Sequence, residues 1–220
     1  MNKKSYHYFD PAKWKRKKHY EFFRKFKHPH FNICTEVEAT NTYTYTRRNK
    51  ISIFTAVLFA VMKTCNETED FRYRIKGKRI KVNDKVHPGI TVLAEGDVYS
   101  NCIINYSDSF EEFGKNYKAA VDKAKKKIVI AEGQKNRDDL IFISALPWLS
   151  FTSVTNPMDG NPLDSIPRII WGKHFKRDGK VLIPFSVQVN HCLMDGVHVS
   201  KFYIRLTEYL KEPEKVFNCV

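Results

Sequence analysis

Residues 51–65 restrict the fold more than any other segment, because they place Ile51, Ile53, Phe54, Val57, Leu58, Val61 and Met62 within fifteen positions. The length and alanine content of this run favour a buried helix over a strand. It also falls short of the ~20 apolar residues that span a bilayer, so no membrane segment is expected. Around it the pattern changes repeatedly. Phe31, Ile33, Thr35 and Val37 alternate with Asn32, Cys34 and Glu36, as a strand would. Residues 71–82 read as a hairpin around Lys76, Gly77 and Lys78, and further strands fit residues 90–94, 98–105, 140–145, 167–174 and 181–190.

Three more helices are expected. Asp10-Pro11 opens one running to about Phe26, with Pro29 marking its end. Ser109 and Glu112 have capping-box spacing ahead of a Lys/Ala-rich helix that extends to about Ala131. Val199, Phe202, Tyr203, Leu206, Tyr209 and Leu210 share one face of a terminal helix. No repeat, linker or composition break divides the chain, so residues 1–220 read as a single α/β domain.

Charge narrows the partners. The formal net charge is +14, and residues 1–30 hold ten Lys or Arg against Asp10 and Glu21. Such a chain attracts phosphate groups, whether on nucleic acid, an anionic surface or a phosphorylated co-substrate. The simpler account is a solvated helix face, since Lys13, Lys15, Lys17 and Lys18 surround Trp14, Tyr20, Phe22 and Phe23. No recognition-helix or RNA-binding motif supports nucleic acid as the partner. The five cysteines are scattered without CxxC spacing, which indicates neither a metal site nor a disulfide framework and fits a reduced, cytoplasmic chain. The first ten residues contain no apolar stretch and so no secretory signal.

The sharpest feature is Pro184 through Gly196, where a β run ends at Asn190-His191 and Asp195-Gly196 turns into the last helix. A titratable imidazole thus stands at a strand's end, one tight loop from a carboxylate. Its ordinary pKa near neutrality suits removal of a proton from a hydroxyl or thiol. A lone histidine there is more often structural, but the wider pattern points elsewhere. The segment resembles the HHxxxDG signature of the chloramphenicol acetyltransferases. Phe9-Asp10, Trp14, Arg16 and Tyr20-Glu21-Phe22-Phe23 are similar to that family's opening helix. Ile143-Ser144-Ala145-Leu146-Pro147-Trp148 is similar to its serine segment.

The resemblance implies a two-layer α/β sandwich, the CoA-dependent acyltransferase fold, with a mixed sheet and helices on one face. It implies acetyl-CoA as co-substrate, no metal, and a cytoplasmic homotrimer with active sites at subunit boundaries. In that frame His191 is the base, Ser144 donates to the oxyanion, and Asp195 with Arg16 holds the turn. Phe22, Phe23, Val154 and Ile170 face the acceptor, while Trp148, Lys50, Lys173 and His174 lie on the coenzyme side. Several positions depart from the family pattern. Asn190 replaces the first histidine, Phe23 a common tyrosine, Ile170 a common threonine, and Val154 an aromatic. Residues 152–166 also lack the family's Phe/Asn-rich wall. Chloramphenicol is therefore the leading acceptor by analogy, with another hydroxyl or thiol acceptor as the alternative. A dihydrolipoamide acyltransferase domain shares the histidine signature, but no Ala/Pro-rich linker accompanies it here. A member of the fold that binds ligand with little turnover is a further reading.

Overall fold

The computed structural model describes residues 5–130 and 137–217. In chain order the elements begin with β1 (Tyr6–Phe9), α1 (Lys17–Phe23), β2 (His30–Glu38), α2 (Thr40–Arg48) and α3 (Ile53–Glu67). Next come β3 (Tyr73–Lys76), β4 (Arg79–Asn83), β5 (His87–Leu93), β6 (Tyr99–Ile103) and α4 (Phe110–Lys126). The chain closes with β7 (Leu140–Leu146), β8 (Arg168–Gly172), β9 (Phe175–Arg177), β10 (Lys180–Asn190), α5 (Gly196–Lys211) and α6 (Pro213–Phe217).

The large sheet has the order β2-β10-β8-β7-β5-β6, with β9 also paired to β10. β7 runs parallel to both β5 and β8, and the remaining pairs are antiparallel. The sheet is therefore mixed, with helices packed on it. A separate antiparallel sheet, β1-β4-β3, closes one end. α3 lies at the centre, with Leu58, Phe59, Ala60, Val61 and Met62 wholly buried. Ser52 starts this helix by accepting the amide of Thr55 at 3.3 Å. At the start of α4, Ser109 accepts the Glu112 amide. The Glu112 carboxylate, however, accepts from Ser107 at 2.6 Å, and that same hydroxyl accepts from the Ser109 amide. The reciprocal capping arrangement is thus relayed through Ser107.

Three local expectations are corrected. The helix expected from Asp10 to Phe26 is broken into a 3-10 turn, Pro11–Lys13, and α1. Trp14 takes an extended backbone and packs its ring edge-on against Phe9 and Tyr73, at 5.5 and 5.8 Å. It therefore belongs to the core margin and is not a freely exposed aromatic. Burial of the indole outweighs helix continuity, and the kink also frees Arg16 to reach α5. The sequence assigned no element to residues 40–48, where Thr40, Thr42, Thr44 and Thr46 alternate as in a strand. They form α2 because tertiary contacts override that period: Thr42 is buried and donates to the Leu210 carbonyl at 2.7 Å. The strand expected over 167–174 stops at Gly172, and β9 follows. The end expected for α4, about Ala131, lies outside the described residues.

Candidate active site

The end of β10 is fixed by Asn190. Its side-chain oxygen accepts the Cys192 amide at 3.0 Å. Its side-chain nitrogen donates to the carbonyls of Pro162 and Asp164, at 2.9 and 2.8 Å. One asparagine thus ties the turn after β10 to the 152–166 loop. The His191 amide donates to the Pro29 carbonyl at 2.7 Å, which sets the backbone beside the start of β2.

The His191 ring lies flat on Phe23, with centroids 3.8 Å apart and planes 9° apart. Phe31 from β2 meets it at 4.5 Å. Nδ1 is 3.1 Å from an Asp195 carboxylate oxygen, but the angle is not that of a hydrogen bond. Instead the carboxylate is engaged by Arg16. Nη2 donates to Oδ1 at 2.9 Å and Nη1 to Oδ2, a bidentate pair. Nη2 also reaches the His191 carbonyl at 3.3 Å. Burial lowers the His191 pKa below its ordinary value, and the charges of Arg16 and His19 add to this. The carbonyls of His191 and Met194 oppose them. Arg16, largely buried with its guanidinium over Trp14, is also lowered by burial.

Ser144 stands elsewhere, on β7, where it accepts from the Thr91 hydroxyl at 3.3 Å. It lines an open cleft of about 880 Å³ between α3, α4 and the ends of β5, β7 and β8. Trp148, Lys173 and His174 line the same cleft. Trp148 is 64% exposed, Lys173 is exposed, and the His174 ring leans on Tyr43 at 5.1 Å. Lys50, in a left-handed conformation after α2, does not line it. Gly172 allows the 147–151 loop to approach, since a Cβ there would meet the Leu149 carbonyl and the Pro184 ring, each at 2.8 Å.

Register separates the two groups. Ser144 pairs with Ile170, which pairs with Ser186 on β10. His191 lies five residues beyond Ser186, roughly 16 Å along a strand, with about 10 Å more across two strand spacings. Within one chain, Ser144 and His191 therefore cannot hold the same small molecule. Phe22 and Phe23 sit on the His191 side, Phe22 being 57% exposed. Val154 lends its carbonyl to Asn32 at 2.9 Å, and Ile170 is buried beside Ser144 without opening into the cleft. Phe31, Thr91 and Tyr117 also stand at these sites, and in the sequence each is marked only as part of an apolar or alternating run or a helix. Among the described residues no cluster of three His, Cys, Asp or Glu could hold a metal, and no helix is long and apolar enough to cross a membrane.

A family model for chloramphenicol acetyltransferase matches residues 4–207. Chloramphenicol acetyltransferase 3 of Escherichia coli is 28% identical over 206 residues, covering 93% of this chain and 96% of that protein. A chloramphenicol acetyltransferase of Clostridium perfringens is 24% identical over 197 residues, covering 88% and 90%. A solved chloramphenicol acetyltransferase structure superposes with a TM-score of 0.86 at 28% identity, over 92% of this chain and 98% of that one. The cubic core of the pyruvate dehydrogenase multienzyme complex superposes with a TM-score of 0.70 at 18% identity, over 86% and 84%, a likeness of fold alone.

Proposed function

The chain belongs to the chloramphenicol acetyltransferase family, and we propose that it transfers acetyl from acetyl-CoA to a hydroxyl of chloramphenicol or a similar small acceptor. The observation that carries this reading is the clamped imidazole of His191. Its backbone is tied to Pro29, its ring is seated on Phe23, and its protonation is disfavoured by burial. A neutral imidazole so held takes the acceptor's proton, the freed oxygen attacks the thioester carbonyl directly, and as the C–S bond breaks the coenzyme A thiolate leaves with the proton that His191 returns. Ser144 donates to the oxyanion that forms, an interaction worth roughly 2.7–4 kcal/mol in such sites. Arg16 and Asp195 hold the turn and pass no proton.

The cleft suits the co-substrate. Its floor is apolar, as a pantetheine arm requires, and lysine ammonium groups stand at its edges for phosphate. The separation of Ser144 from His191 supports a homotrimer in which the histidine of one chain faces the serine cleft of its neighbour. Exposed Phe22 and Trp148 would be covered at that boundary. One continuous core across both sheets supports a single catalytic domain, and the free cysteines at 34, 65, 102 and 192 fit a cytoplasmic setting.

Phe23 and Ile170 favour a second reading, an acceptor other than chloramphenicol. Phe23 presents hydrocarbon beside His191, and Ile170, buried beside Ser144, offers no hydroxyl there, so a polar acceptor finds fewer hydrogen-bonding handles at either group. Acetyl-CoA-dependent thiol release against a panel of hydroxyl and thiol acceptors, chloramphenicol first, tests both. Turnover with none of them would sink the transferase assignment, and turnover with another alone would select the second reading.

A further inference from the structure

Along α4, Phe113, Tyr117, Val121 and Lys125 follow one another at four-residue steps and so share one helix face. Phe113 and Val121 are buried, and Tyr117, Val121 and Lys125 all line the cleft. A lysine therefore ends an otherwise apolar stripe and faces an apolar cavity. Its ammonium has no ion-pair partner among the described residues. The last turn of α4 also carries Lys123 and Lys126, and all three offset the partial negative charge of a helix C-terminus. Only Lys125 of the three lines the cleft. Lys173 lines the same cleft, likewise without a carboxylate partner among the described residues, and Asp97 supplies the one acidic side chain of the lining.

Resting on the acetyl-CoA reading above, we infer that Lys125 binds a phosphate group of coenzyme A as the helix-side counterpart of Lys173. The stripe above it holds the uncharged arm, and the lysine marks where that arm ends in phosphate. Both the ribose phosphate and the pyrophosphate offer this chemistry, and ligands lacking one or the other separate them.

Calorimetric titration of the full chain with coenzyme A, dephospho-coenzyme A and pantetheine tests the assignment. Lys125→Ala should weaken coenzyme A by about tenfold, the order of one charge-assisted hydrogen bond at a cleft edge, and leave pantetheine unchanged. Lys125→Arg should keep most of the affinity, and Lys123→Ala and Lys126→Ala should behave as wild type. Loss for coenzyme A alone assigns the ribose phosphate; equal loss for dephospho-coenzyme A assigns the pyrophosphate. Unchanged coenzyme A binding in Lys125→Ala, an equal loss in Lys123→Ala, or a loss that extends to pantetheine would overturn it. A wild-type chain that binds no coenzyme A would instead bring down the transferase reading, and this assignment with it.

Discussion

At the residue scale the proposed chemistry rests on how His191 is held. Burial comes first among the causes that lower its pKa, because an imidazolium against Phe23 and Phe31 loses hydration. On the proposed mechanism the neutral form is the active base, so kcat/KM should be flat above neutrality. It should fall about tenfold per pH unit once pH drops through a midpoint below the ordinary histidine value of 6.5. A midpoint above that value would mean that the imidazolium is favoured and that the desolvation account is wrong. His191→Ala should lower kcat/KM by about 10²–10⁴ while coenzyme A binding, proposed for the separate Ser144 cleft, persists; near-normal turnover would end the mechanism. Ser144→Ala should reduce kcat by about 10²–10³ with a smaller change in KM, as expected for a donor that acts in the transition state. A rise in KM alone would make Ser144 a ground-state contact.

Among the elements, the junction of α1, β10 and α5 decides where the His191 imidazole points. The kink at Trp14 that shortens α1 sends Arg16 across to Asp195, the residue before α5. Arg16 also touches the His191 carbonyl, so one guanidinium fixes both ends of the turn. The two side chains should therefore behave as a unit. Asp195→Asn and Arg16→Met should each lower the denaturation midpoint, and the double variant should lose less than their sum, with a coupling of about 0.5–3 kcal/mol. Additive losses would show that the pair does not hold the turn. Asn190 plays a comparable part on the other side: two of its side-chain hydrogen bonds reach the 152–166 loop and a third holds the Cys192 amide in the turn.

For the whole molecule, strand order has the largest consequence. β8 lies between β7 and β10, and Ser144 and His191 occupy different levels of their strands. The proposed shared site across a closed cyclic trimer would bring them together, so light scattering should give a mass near three chains of 25.8 kDa. Mixing inactive His191→Ala and Ser144→Ala chains under conditions that exchange subunits should then restore activity. Random assembly leaves about a quarter of the sites with both native groups. A monomeric mass with full turnover, or no recovery on mixing, would refute the shared site. Much of this molecule was legible in its sequence. The central helix α3, the alternation of β2 and β10, and the histidine-to-aspartate turn all follow from periodicity and turn chemistry, which act over a few residues. The tertiary structure alone decided the rest. α2 is helical despite its strand-like alternation, because a buried threonine finds a carbonyl on α5. Trp14 leaves its helix for an aromatic pocket, and Phe31 comes to rest against His191. The distance between Ser144 and His191 is likewise set by which strands become neighbours. Each of these outcomes depends on contacts between residues far apart in the chain, and local pattern carries no information about them.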